Sequence, residues 1–296
     1  MTPRASRFPH LLAVICRRLI WFMVVLLVGG LVGAVLVRVA PGFGTDERML
    51  DARLSNASIQ AIARERSGGA DIGWYYVDYL GRLLRGDLGT SVSLGRPVRE
   101  LLGERMGTSV RSAGLGLALA WTLALAVIGL LELCRNPAGE TLASVIVEVL
   151  LCIPVALLAV GCFYLGGAPA LAVAAILFPR IFRYGRALAR QTGAAPHVLA
   201  AHASGESPWR ILGFHVMLPI FPELAALAGV TVNMAVGAII PVEALCDSPG
   251  VGALVWQAAL ARDLPVLVNV TLLVTAVTLA SNFAADVARN ARWDAI

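Results

Sequence analysis

The sequence predicts an all-α integral membrane protein of six transmembrane helices, with a helical extracytoplasmic region after the first span. Three observations lead there. Hydrophobic residues make up 58% of the 296 and charged ones only 15%, at a mean hydropathy of +0.78, too apolar for a water-soluble domain. Charge-free runs recur at lengths that cross a bilayer core as helices. In the short connections and tails the arginine surplus falls on one side of the predicted membrane, at 1–18, 180–219 and 289–296.

Residues 1–18 carry four arginines and no acid and read as a cytoplasmic N-terminal tail. Residues 19–37 are free of charge and long enough for a first span, too long for the apolar core of a signal peptide. Residues 38–111 hold eleven arginines and nine acids. Helical spacing ended by Gly68-Gly69, and again by Gly86 to Gly89, makes this a helical extracytoplasmic region. It reads either as surface helices on the membrane face or as a receptor-contacting lid.

A five-helix transmembrane core is expected over 112–288, followed by a cytoplasmic tail at 289–296. Its spans are 112–131, 141–165 with Pro154, a short one from 170 to 182 interrupted by Pro179, 222–245 and 264–287. The connection 132–140 is short and contains a turn-making Asn136-Pro137.

The loop 184–218 is different in kind. The stretch 180–219 holds five arginines and one acid between two long apolar runs. Pro196 opens a short helix, Gly205 closes it in a left-handed cap, and Ser207-Pro208 marks a second helix start. A plain connection needs only a few residues, so this element has the look of a docking site. With the N-terminus inside, six spans put this island and the tail with Arg289 and Arg292 in the cytoplasm. The link 132–140, with one arginine and two acids, gives that orientation no support.

Charges inside the predicted spans are few. Glu148 either lines a translocation path or pairs across the bundle, or is protonated, because a bare charge facing lipid costs on the order of 3 kcal/mol. Glu223 fits the first turn of a helix, and Glu243 is expected to tie down an outer loop. Gly114 with Gly116, and Gly229 with Gly237, suit close helix packing. The five cysteines are scattered, with no metal-ligand spacing, and read as small hydrophobes. The arginines form no run interleaved with aromatics, which argues against nucleic-acid binding. No H-E-x-x-H, G-x-S-x-G or Walker A motif occurs, so no catalytic role and no cofactor are expected, and any ATP is hydrolysed by another chain.

Four motifs, in order, carry a resemblance. Ala200-Ala201, Gly205 and Val216-Met217-Leu218-Pro219 are similar to the "EAA…G" cytoplasmic loop of permease subunits in binding-protein-dependent ABC importers. Leu199 stands at that motif's glutamate, and one extra residue separates Gly205 from Leu-Pro. Gly86-Asp87-Leu88-Gly89, Ser91, Gly95 and Pro97-Val98 resemble the segment before the second span of dipeptide and oligopeptide permeases. Val242-Glu243 with Pro249 to Gly252, then Ala261 to Val266, are similar to that family's V-E-x-x-F-x-x-P-G-L-G and A-x-x-R-D-Y-P-V elements. Asn282, Asp286 and Asp294 match its end.

The resemblance, to the dipeptide, oligopeptide and nickel family, implies the permease fold of a type I ABC importer. It implies a multi-pass subunit of the bacterial inner membrane with both termini cytoplasmic. It implies half of an alternating-access path for peptides or similar small solutes. The implied partners are a second homologous permease in a heterodimer, two ATPase subunits, an extracytoplasmic substrate-binding protein and the lipid bilayer. Leu199, Ala200, Ala201, Gly205 and Arg210 would couple to the ATPases, and Glu148 is the candidate for the translocation path. The alternatives are a proton-coupled secondary transporter using Glu148 and a membrane scaffold without transport.

Overall fold

In a computed structural model the chain is predominantly helical over the residues it describes, which are 85–166 and 168–290 with short pieces of 24–32 and 81–83, side chains being described to 284. The N-terminal tail, most of the predicted first span, most of the extracytoplasmic region and residues 291–296 lie outside the described residues. From Val98 onward the described residues form eight helices in order: α1 (Val98–Cys134), α2 (Pro137–Cys152), α3 (Val155–Tyr164), α4 (Pro169–Gly193), α5 (Pro196–Ala203), α6 (Pro208–Leu245), α7 (Val251–Leu260) and α8 (Leu264–Asn290). Three of them, α1, α6 and Leu264–Ala284 of α8, are long and apolar enough to cross a membrane. The pair α2 and α3 makes a fourth crossing if it counts as one span, but it is bent by 103°.

The chain forms two compact units. One comprises Met1–Glu104 and Gln257–Ala276, the other Arg105–Trp256 and Val277–Ile296.

In the second unit α4 is the central element, packed by α2, α3 and α6. It buries Ala172, Val173, Ile176, Leu177, Ile181 and Phe182. Small residues set the approach of its neighbours. A Cβ on Gly116 of α1 would stand 2.7 Å from the Ala170 carbonyl oxygen and 2.7 Å from the Val173 side chain, and one on Gly185 would meet Ile128 at 2.9 Å. Gly114 and Gly237, also expected at helix contacts, have nothing within 4 Å.

The prolines behave differently from one another. Pro154 ends α2: Ile153 before it is extended, as a residue preceding proline prefers, and Pro154 is itself extended before α3 begins. Pro179 instead lies inside an unbroken α4, where the sequence suggested an interruption. A proline loosens the carbonyls one turn before it, and Arg180 Nη1 donates to one of these, Ile176 O, at 2.8 Å. Likewise α6 starts at Pro208 and runs through Pro222 and Pro241, so Glu223 sits well inside the helix and not in its first turn.

Glu243 of α6 is fully buried. Its Oε2 accepts from Ser109 Oγ at 2.9 Å and from the Gly252 amide at 2.7 Å, while Ser109 Oγ accepts from the Val251 amide at 2.7 Å. The carboxylate and the serine thus serve the free amides of the first turn of α7, the work usually done by a capping residue. Glycine is required beside it. A Cβ on Gly250 would lie 2.1 Å from Glu243 Oε2, and one on Gly252 would lie 2.6 Å from Ile240 O. The expected tie between Glu243 and the loop after α6 is what the geometry provides.

In the first unit, Thr90 pairs with Pro97 in a small hairpin closed by the Ser91 amide on Arg96 O and the Val98 amide on Gly89 O. Asp263, fully buried at the start of α8, holds that hairpin. Its Oδ2 accepts from Ser91 Oγ at 2.5 Å, Ser93 Oγ at 2.7 Å and the Ser93 amide at 2.9 Å. Asn269 Nδ2 adds a bond to Leu88 O at 2.8 Å. Burial pushes the Asp263 carboxyl upward, but the bonds from Ser91 and Ser93 outweigh it, and the group titrates below the usual carboxylate range.

Two predictions follow from these ties. Because the folded pKa of Asp263 is depressed, its contribution to stability is present above the unfolded value near about 3.9 and is lost as pH falls through the folded value. Asp263→Asn should therefore flatten the stability loss on acidification below pH ~4, measured by thermal unfolding in detergent against the parent; an unchanged acid profile would count against the tie. Gly250→Ala should destabilise by about 1–3 kcal/mol or more through overlap with the Glu243 carboxylate, read in the same assay.

Candidate functional site

The arginine-rich island is built from the last turns of α4, all of α5 and the start of α6. Pro196 stands at the first position of α5, where its missing amide costs nothing. At the other end Gly205 has φ +74°, its amide bonds to His202 O at 3.1 Å, and the Glu206 amide bonds to Ala201 O at 3.2 Å. That pair of bonds is a Schellman cap, and it needs a residue at ease in the left-handed region. Ser204 Oγ closes on Ala200 O at 2.8 Å, and Pro208 opens α6 four residues later. The first turns of α6 are wound more loosely, as a π-helical stretch over Ile211–Met217 that packs on α5.

α5 has two faces. Val198 and Ala201 point inward, 1% and 5% exposed, into the cluster that holds Ile211 and Val216. Leu199, 60% exposed, lies outside with Ala200 and Ala203. Trp209, the second residue of α6, is 73% exposed, a large aromatic that the described residues leave uncovered. Arg210 is exposed and paired to Glu206 at 3.4 Å.

Polar contacts fix the island from several sides. His197 Nε2 meets His215 O at 3.2 Å, and His215 Nε2 meets Glu206 Oε2 at 3.2 Å. Arg135, between α1 and α2, reaches His202 Nε2 of α5 at 2.6 Å. Arg186 of α4 pairs with Glu132 at the end of α1 and, at 3.2 Å, with Glu140 of α2, which also takes Arg190 at 3.2 Å. Arg186 and Glu132 are largely buried, at 13% and 18% exposure. α4 is thereby joined to the end of α1 and the start of α2 by charged groups, and loss of Arg186 would leave the largely buried Glu132 unpaired.

Of the residues singled out in the sequence, Leu199, Ala200 and Arg210 lie on the exposed side, Gly205 makes the cap, and Ala201 supports the helix from within. Glu148 is elsewhere, exposed on α2, with no hydrogen bond or ion pair among the described residues. Sequence reasoning missed Trp209 and the Arg186 cluster. The Ser-Pro-Trp start of α6 was a signal for the first; nothing local announces the second, whose members lie 46 to 54 positions apart. Among the described residues no three His, Cys, Asp or Glu side chains gather as metal ligands.

The family described as the binding-protein-dependent transport system inner membrane component matches residues 116–291. The chain belongs to this family. Curated relatives match over nearly the full length. A peptide permease protein of Brucella ovis is 24% identical over 86% of this chain and 89% of its own. A peptide ABC transporter permease protein of Sinorhizobium fredii is 25% identical, and an oligopeptide transport system permease protein of Bacillus subtilis 26%, each over 93% of this chain and 96% of the relative. The protein is a membrane permease of ABC transport, and α5 with its cap falls inside the matched region.

The cap and the cluster generate a prediction for the permease alone. Gly205→Val should cost the fold about 1–2 kcal/mol through the left-handed backbone, and Arg186→Leu on the order of 3 kcal/mol by stranding Glu132. Both are read as lowered melting temperature of the purified chain; melting at the parent temperature would remove these contacts from the account of the island.

Proposed function

We propose that this permease is one of two homologous membrane subunits of an ATP-driven importer of peptides or similar small solutes, with α5 as the helix that receives the ATPase. The observation that carries this reading is the division of α5. Its inner face and both ends are held by the chain, while Leu199, Ala200 and Ala203 are left outside, and Trp209 in the first turn of α6 is exposed as well. An uncharged surface of small residues admits a close-fitting groove, and an uncovered tryptophan is the kind of anchor that dominates protein interfaces. The family and the peptide-permease names of its relatives support peptides as the class of solute.

On this reading six spans cross the inner membrane, the described helices supplying five after a first span at 19–37. The island and both termini are cytoplasmic. The two acids of the link 132–140 then cease to oppose the charge bias, since Arg186 and Arg190 pair with them. ATPase dimerisation displaces α5, and the displacement rocks α4 and the helices packed on it between inward- and outward-facing states. Solute and nucleotide are coupled because each state binds them with different affinity. The remaining partners are an extracytoplasmic binding protein and the second permease. A proton-coupled mechanism would rest on Glu148 alone, and family membership favours the ATP-driven one.

The test compares Leu199→Asp, Ala200→Glu and Trp209→Ala with the parent, all expressed with their partner subunits. Chain level and membrane insertion should be unchanged. Co-purified ATPase and ATP-dependent uptake of a labelled peptide should fall by roughly tenfold or more, as for loss of an interface anchor. Full uptake in all three would refute the assignment of α5.

A further inference from the structure

Arg180 and Arg183 stand out from the other arginines of α4. One and two turns further along, Arg186 and Arg190 are paired with Glu132 and Glu140. Arg183 has no ion pair among the described residues, and Arg180 makes only the single bond of Nη1 to Ile176 O, leaving most of its five donors unused. Both guanidiniums line a cavity of about 440 Å³ between α2 and α4, together with Tyr184, Leu151 and Ala187.

The position along the helix decides what such a cavity is for. α4 carries no charge from Pro169 through Pro179, so Arg180 is its first polar side chain and Arg183 follows one turn later. At about 1.5 Å per residue both precede Arg186 by less than ~10 Å. Arginine heads and tyrosine rings meet lipid headgroups where the apolar part of a membrane helix gives way to its charged end. The cavity wall contributed by α2 is the apolar Leu151, and elsewhere that helix exposes Leu142, Val145, Ile146 and Val149. Acyl chains cover such a face without cost. A guanidinium pair with an apolar flank matches a phosphate that carries hydrocarbon, since arginine binds phosphate oxygens through its planar fork.

We propose that the groove formed by Leu151 of α2 and Arg180, Arg183, Tyr184 and Ala187 of α4 is a binding site for the phosphate headgroup of an anionic phospholipid. On the orientation proposed above the lipid comes from the cytoplasmic leaflet, where basic pockets between membrane helices hold such headgroups. A lipid seated there would lie on α4, directly before the turns that the Arg186 cluster joins to α1 and α2.

The experiment uses the full-length chain purified in detergent. It is titrated separately with short-chain phosphatidylglycerol and phosphatidylcholine, and retained lipid is counted by native mass spectrometry. The parent should retain phosphatidylglycerol in clear preference to phosphatidylcholine. Arg183→Gln should weaken phosphatidylglycerol binding by about fivefold and the Arg180→Gln/Arg183→Gln double variant by roughly thirtyfold. The double lysine variant should keep most of the binding, and Arg190→Gln, which removes a paired arginine from the same helix, should not lower it. Arg183 is exposed, so its single variant remains readable if the double variant does not fold. Equal retention of the two lipids, or undiminished phosphatidylglycerol binding in both Gln variants, would overturn the proposal. So would displacement of the lipid by inorganic phosphate alone, which marks a free-anion site, or by a dipeptide, which marks a site for substrate carboxylate. No ATPase and no sidedness enter this measurement, so its failure and the failure of the importer reading are told apart.

Discussion

Hydrocarbon supplies no water to complete a hydrogen bond, so every amide left free at a helix end has to find its acceptor within the protein. The permease meets this constraint with carboxylates brought from a distance. Glu243 sits at the end of α6, yet its Oε2 takes the Gly252 amide in the first turn of α7, and Ser109 takes the amide of Val251. Asp263 begins α8 and at the same time gathers three donors from the Ser91 to Ser93 hairpin. Each carboxylate therefore does two things at once, starting a helix and fixing a segment far away in sequence. The glycines follow as a consequence. Gly250 is glycine because the Glu243 carboxylate occupies the space its Cβ would need.

The island obeys the same logic at the polar end. α5 is only eight residues long and has no stability of its own at that length. What holds it is the Schellman cap at Gly205, the buried pair Val198 and Ala201, and the contacts of His197 and His202. A short helix fixed at both ends moves as one piece with what it is fixed to. Arg135 joins it to the link after α1, and Arg186 joins that same link to α4. For a helix proposed to receive a push, this matters more than its own sequence. Force applied at Leu199 and Ala200 would pass through the exposed Arg135–His202 contact and then the largely buried Arg186–Glu132 pair.

Much of this was legible in the chain before folding, and the failures are specific. Pro196, Gly205 and Ser207-Pro208 carry their backbone requirements in their own covalent structure, so a helix, a cap and a second start could be read directly. Glu243 was readable because a carboxylate near a span end beside Pro-Gly-Val-Gly has few other uses. Prolines inside the spans were not. Pro154 and Pro179 look alike in sequence, yet one ends a helix at a bend of 103° and the other leaves α4 unbroken. A proline states only that a bond is missing. Whether the chain bends depends on what serves the loosened carbonyls, and at Pro179 that includes the side chain of Arg180. The inward place of Ala201 and the outward place of Trp209 were hidden for a related reason, since they depend on which neighbour arrives against each face.

The link 132–140 shows why counting charges by segment misleads. Read alone, two acids against one arginine oppose a cytoplasmic location. In the folded chain both acids face Arg186 and Arg190, so the link and the end of α4 act as one electrostatic body. Arg135 turns to His202, and Arg180 and Arg183 keep no acidic partner among the described residues. Of the four arginines of α4, the two without an acidic partner are thus those next to its apolar half. The charge bias of such a helix end is then a property of packed side chains, and only those left over after pairing remain to set orientation or to hold a lipid.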